Sequence, residues 1–135
     1  FQLQSPKSDN LIWPDLPSGM YSYFISGLLS ADGCVRLDKR RENKICGLEF
    51  SYSSNCHEFI MKMKNYLINE LNLSNTKIKQ NITKRKNINY SLRYTGNQAT
   101  TILNFIYKDT DPLTRCKRKY DIFQDHLACV SNSII

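Results

Sequence analysis

The hydrophobic period of this chain switches from helical to strand-like and back in an order that occurs twice, and few folds accommodate that order. Tyr21 to Leu29 is apolar on most sides and stops before Gly33, as expected of a short buried helix with a glycine just past its end. Cys34–Arg40 then alternates apolar and polar, as does Lys44–Ser53, with polar residues from Arg40 to Asn43 between them. That pattern predicts a β-hairpin with Val35, Leu37, Leu48, Phe50 and Tyr52 on its core face. Ser53, Ser54 and Asn55 supply capping side chains for a helix over His57–Leu71, where Phe59, Ile60, Met63, Tyr66 and Leu67 recur at helical spacing. A second hairpin follows. Ile78 and Ile82 are expected inward on its first strand, Lys84–Asn87 form the turn, and Ile88, Tyr90, Leu92 and Tyr94 share one face of the returning strand. Gly96 and Asn97 open a helix running from Gln98 to Tyr107. Asp111–Pro112 opens the last one, with Leu113, Cys116, Tyr120, Phe123, Leu127 and Val130 as its stripe. Residues 1–20 carry Pro6, Pro14 and Pro17 and read as an extended lead-in anchored by Leu11, Ile12 and Trp13, with the domain over 21–131. Two antiparallel hairpins with helices on one face give an α+β layered fold of order αββαββα with one further helix.

A chain of 135 residues suits one domain around one core. No apolar run approaches the ~20 residues that span a bilayer, and residues 1–10 lack the apolar stretch of a signal peptide. The five cysteines (Cys34, Cys46, Cys56, Cys116 and Cys129) are scattered and form no C-x-x-C pair. Cys56 and His57 are adjacent, so on a helix they point apart and chelate poorly. Reduced thiols in an intracellular setting are expected instead. A net charge of +7 favours an anionic partner, nucleic acid being the commonest.

The segment Ile25-Ser26-Gly27-Leu28-Leu29-Ser30-Ala31-Asp32-Gly33 has a second property. Gly27 and Ala31 are four residues apart, as are Ser26 and Ser30, so small side chains share a stretch of helix surface where another backbone can approach closely. This segment resembles the LAGLIDADG motif, and the order of elements after it resembles that family's αββαββα domain. The resemblance extends from Leu11 to Phe123. WPDLPSGMYSYFISGLL is similar to the lead-in found in many members, and Leu113–Tyr120 to a late basic helix. It implies a site-specific, Mg²⁺-dependent endonuclease acting on double-stranded DNA. The motif helix would pack on a second copy through Ser26, Gly27, Ser30 and Ala31. Asp32 would be the metal-binding carboxylate, with the Ala31 carbonyl as a second ligand. One motif per chain implies a homodimer or half of a longer two-motif protein. The alternative is an ordinary helix end at which Asp32 is simply solvated.

The sequence departs from the family pattern at three positions. Ser30 replaces the first acid of the motif, Ser54 stands where many active members carry Gln, and Asn97 stands where many carry Lys. A serine can still bond water, but an asparagine supplies no positive charge. Three functions therefore remain open: an endonuclease, a non-cleaving DNA-binding regulator, and an RNA-binding splicing factor.

A twisted antiparallel sheet can lie in the major groove, where base edges are distinguishable. Arg36, Asp38, Arg40, Glu49, Ser51, Lys77, Lys79, Asn81, Asn89, Ser91 and Arg93 fall on the outward positions. Arginine would read guanine, asparagine adenine, and the acids cytosine. Arg41, Lys44, Lys84, Arg85 and Lys86 at the hairpin tips suit phosphates. A solvated sheet face is the alternative. Arg115, Lys117, Arg118 and Lys119 fit either flanking phosphates or an exposed helix face, and a surface or satisfied-core position is expected for His57 and His126.

Overall fold

The computed structural model describes residues 11–38, 47–108, 110 and 116–133. Helix α1 (Tyr21–Asp32) leads into strands β1 (Cys34–Asp38) and β2 (Gly47–Ser54), then helix α2 (His57–Leu71). Strands β3 (Lys79–Ile82) and β4 (Ile88–Thr95) follow, and the chain ends in helices α3 (Gly96–Tyr107) and α4 (Lys117–Ser133). The expected element order and α+β class are those observed. The strands form one antiparallel sheet in the order β1-β2-β4-β3, so the two hairpins join through β2 and β4.

Strand alternation separates the two faces of this sheet. Val35, Leu48, Phe50, Tyr52, Leu92 and Tyr94 point to the helical side and are buried with Ile25, Leu29, Phe59, Ile60, Met63, Leu67, Ile102, Leu103 and Ile106. Helix α2 ends at Asn72, whose positive φ of 55° is one that asparagine tolerates. In the β3–β4 connection the Thr83 carbonyl accepts from Lys86 N–H and Thr83 N–H donates to the Asn87 carbonyl. Lys86 has a φ of 61°, the arrangement of a three-residue hairpin loop.

Some local expectations need correction. Ile82, expected inward, is 76% exposed, and its cross-strand partner Ile88 is also exposed. The outer end of the second hairpin projects past the helices, so its alternating pattern has nothing to pack against. In the lead-in, Leu11 and Ile12 are exposed and Trp13 alone is the anchor, its ring 5.3 Å from Phe24 and 5.4 Å from Phe59. Tyr21 fastens the same segment by accepting from Leu16 N–H and donating to the Pro14 carbonyl. Cys116 precedes α4 rather than lying within it; Asp111, Pro112 and Leu113 fall outside the described residues. Gly33 is extended (φ −81°, ψ 173°), so a left-handed turn does not explain it. Space does: a Cβ there would sit 2.5 Å from Leu29 Cδ1 and 2.7 Å from Leu29 Cα.

Candidate nucleic-acid interface and metal site

The face of the sheet opposite the helices carries polar side chains on adjacent strands. Register places Arg36 beside Glu49, Ser51 beside Arg93, Ser91 beside Lys79, and Asn81 beside Asn89. Glu49, Ser51, Lys77, Lys79, Asn81, Ser91 and Arg93 line one open groove of about 480 Å³, together with Thr76 and Thr95. The serines tie neighbouring strands together, Ser53 Oγ and Ser91 Oγ lying 2.7 Å apart. Glu49 is not an open acceptor for a cytosine. Arg36 and Arg93 cover it from either side, at 3.0 Å and 2.6 Å. Arg40, Arg41 and Lys44 lie outside the described residues, as does the side chain of Asp38.

At one end of this sheet the C-terminus of α1 delivers Asp32. Cys34 pairs with Ser51, so Asp32, two residues earlier, lies toward the Ser53–Ser54 end of β2. The Lys84–Lys86 turn projects from the same end, because Tyr90 pairs with Ser54 and the turn precedes it. Asp32 is exposed, and its charge is felt by Tyr52. Burial first, and the neighbouring Asp32 carboxylate second, push the Tyr52 phenol up to about 12.

The same helix end holds a contact that sequence reasoning did not identify. Lys119 of α4 is 6% exposed, and its Nζ donates to the carbonyls of Leu29 (2.6 Å) and Ser30 (3.3 Å). These carbonyls belong to the last turn of α1, where the helix dipole favours a cation. Cys116 N–H donates to Ser30 Oγ at 3.2 Å, so α4 and its lead-in grip this turn at two points. Lys117 and Arg118 are exposed, with Lys117 paired to Asp121 at 2.6 Å.

Comparison with protein families matches residues 19–107 to the LAGLIDADG-like domain. The chain belongs to the LAGLIDADG family. No curated protein matches it. Members of this family are generally DNA-binding endonucleases that commonly dimerise and use divalent metals.

Within a LAGLIDADG domain, α1 is the motif helix, and the structure sorts its small residues into two groups. Ser26 is buried against the chain's own core, and Ser30 is half-buried and tied to Cys116, so neither forms the outer surface of α1. Gly27 and Ala31 are exposed with Tyr23, and a Cβ on Gly27 would meet nothing within 4 Å. The exposed small residues of α1 are therefore Gly27 and Ala31, beside Tyr23.

The two positions compared with the family's Gln and Lys separate as well. Ser54 points to the helical side, is buried, and accepts from Cys56 N–H at 3.1 Å, which shapes the start of α2. Asn97 follows Thr95, which pairs with Glu49, at the opposite end of β2 from Asp32. At ~3.3 Å per residue the separation along the strands is on the order of 15–20 Å. Ser54 thus shares the Asp32 end of β2, whereas Asn97 lies at the other.

The donor set tests whether a metal fits. Asp32 offers a carboxylate and Ala31 a carbonyl at the negative end of a helix, hard oxygen ligands that suit Mg²⁺. Among the described residues no three His, Cys, Asp or Glu side chains cluster as a complete metal site. Asp32 and the Ala31 carbonyl are therefore the ligands this chain could contribute to a metal ion at the end of α1. Neither histidine lies at this site: the His57 ring is tilted against Tyr90 with centroids 4.7 Å apart, and His126 is buried with Nε2 3.5 Å from Thr100 Oγ1. No helix among the described residues is long and apolar enough to cross a membrane.

Proposed function

We propose that this LAGLIDADG domain binds double-stranded DNA sequence-specifically through the open face of its sheet. Two motif helices, from a homodimer or from the halves of a longer chain, would then bring two copies of Asp32 together for phosphodiester hydrolysis. The observation that carries this reading is the joint placement of a concave basic groove and an exposed carboxylate. Lys77, Lys79 and Arg93 line the groove, and Asp32 ends the motif helix at one edge of the same sheet.

Each part has a physical role. Lys77 and Lys79 neutralise phosphates and set register. Arg36, Arg93, Asn81, Asn89, Ser51 and Ser91 present donors and acceptors at base-edge spacing. Asp32, with the Ala31 carbonyl, would hold Mg²⁺; when bound, the metal supplies Lewis acidity and lowers the pKa of water. Tyr52 stays neutral beside Asp32 at physiological pH and cannot act as a base there. Lys84, Arg85 and Lys86 project from the same end of the sheet as Asp32 and would contact backbone flanking the reacting phosphates.

A second reading, recognition without cleavage, is favoured by the placement of Ser54 and Asn97. Ser54 Oγ accepts from Cys56 N–H at the start of α2, and Asn97 is at the far end of β2 from Asp32, which supports a site without the assistance that Gln and Lys would give. Selection from randomised duplexes, in Mg²⁺ and in Ca²⁺, separates the two. An endonuclease yields cut, enriched sites in Mg²⁺, and Asp32→Asn abolishes cutting while leaving the bound sequence unchanged. Enrichment without cutting in either ion selects the second reading. Capture of structured RNA in preference to every duplex would overturn both.

A further inference from the structure

Glu49 stands on the open face of β2, where strand alternation puts side chains into solvent, yet it is only 8% exposed. Two arginines from the strands on either side cover it. Arg36, its register partner on β1, approaches Oε2 through Nε at 3.2 Å and Nη2 at 3.0 Å. Arg93, on β4, approaches Oε1 through Nε at 2.6 Å. The arginine side chains remain 64% and 53% exposed, so the carboxylate lies beneath them and they face solvent, Arg93 on the groove itself.

This arrangement constrains what each group can do. Both carboxylate oxygens of Glu49 are engaged and covered, so the acid is poorly placed to read a base itself. Arg93 is held by Nε, which leaves its terminal Nη groups to donate outward; Arg36 is held side-on. A guanidinium already fixed in one orientation loses less rotamer freedom on binding than a free one. Paired arginine donors match O6 and N7 of guanine in the major groove. An arginine without such a restraint swings readily to phosphates, contacts that carry no sequence information.

We propose that Glu49 is a specificity-determining residue that acts through Arg36 and Arg93. It orients the two guanidiniums side by side so that they read guanines in the same or adjacent base pairs, and it holds them away from the phosphates. This inference rests on the DNA-binding reading above.

The test compares the full chain with Arg36→Ala, Arg93→Ala, Glu49→Ala and Glu49→Gln. Base preferences come from randomised duplexes in Ca²⁺, and affinities for a selected and an unrelated duplex are measured as salt is varied. Each arginine variant should erase a guanine preference, at the same or neighbouring positions. Glu49→Ala should weaken both preferences by about tenfold, the scale of one good arginine–guanine contact. It should also bind the unrelated duplex more tightly, with a log–log salt slope steeper by about one. Glu49→Gln, which keeps the shape and loses the charge, should fall between, and it carries the comparison if Glu49→Ala does not fold. Three results would overturn the proposal: loss of a cytosine preference at a position neither arginine affects, equal weakening on both duplexes with preferences intact, or no change. If the wild-type chain retains no duplex at all, the DNA-binding reading itself fails, and this inference with it.

Discussion

Removing the Lys119 ammonium tests how the motif helix is held. Lys119 Nζ donates to Leu29 O and Ser30 O from a site that is 6% exposed. In Lys119→Met the Leu29 carbonyl keeps a second donor, Gly33 N–H at 3.0 Å, so the loss falls mainly on Ser30 O. A buried carbonyl left without a partner costs about 1–3 kcal/mol, and loss of a cation at a partly buried helix C-terminus costs up to ~2 kcal/mol. Opposing this, the variant no longer desolvates an ammonium, a penalty of several kcal/mol in itself. The bond is short, charge-assisted and aligned with the helix dipole, so interaction should outweigh desolvation, with a net destabilisation of about 1–3 kcal/mol. For a chain of this size that lowers Tm by roughly 4 °C per kcal/mol. Urea unfolding followed by circular dichroism measures it, with an unchanged m-value as evidence that the native state is intact. A Lys119→Met variant as stable as the wild type, or more so, would refute the reasoning and show that the buried charge is a burden on the fold.

Two further perturbations follow from the same helix end. Gly27→Leu should leave the folded monomer intact, since a Cβ there meets nothing within 4 Å, but should block close approach of a second motif helix. Analytical ultracentrifugation should find the variant monomeric where the wild type self-associates, and an unchanged dimer would place the interface elsewhere. The Tyr52 phenol, raised from 10.0 to about 12, is neutral in the folded state while the unfolded chain already ionises. Its stabilising contribution is therefore complete below pH 10 and is lost as pH climbs through about 12. Ultraviolet titration against Tyr52→Phe should show this late ionisation, and Asp32→Asn should move it to lower pH. No movement would mean that the two groups are not neighbours.

How legible these features were depends on the range of the interactions behind them. Val35, Leu48, Phe50, Leu92 and Tyr94 were readable because strand alternation is local and the covering helices extend over those positions. Ile82 and Ile88 carry the same alternation, but their burial depends on how far α2 and α3 reach along β4, which no local pattern encodes. The helix end at Asp32–Gly33 was legible in the sequence, whereas the reason for Gly33 was not: it is the Leu29 side chain and backbone, not chain handedness. Lys117, Arg118 and Lys119 look equivalent in sequence, and only the packing of α4 against the end of α1 selects Lys119 for burial. Glu49 reads as outward, correctly; its enclosure needs arginines from β1 and β4, and therefore the strand order β1-β2-β4-β3. Ser54 and Asn97 were placed by counting residues, which carries no information about register or about which face a side chain takes.

The central claim is that the open face of the sheet, rather than positive charge at large, binds DNA. It is tested most directly by comparing two double variants with equal charge loss. Lys77→Ala/Lys79→Ala removes two cations from the groove, and Lys62→Ala/Lys64→Ala removes two from α2 on the helical side. Equilibrium binding to a selected duplex should weaken markedly only for the groove variant, whose log–log salt slope should fall by about 1–2. Equal losses for both variants, or a loss confined to the α2 variant, would contradict the account.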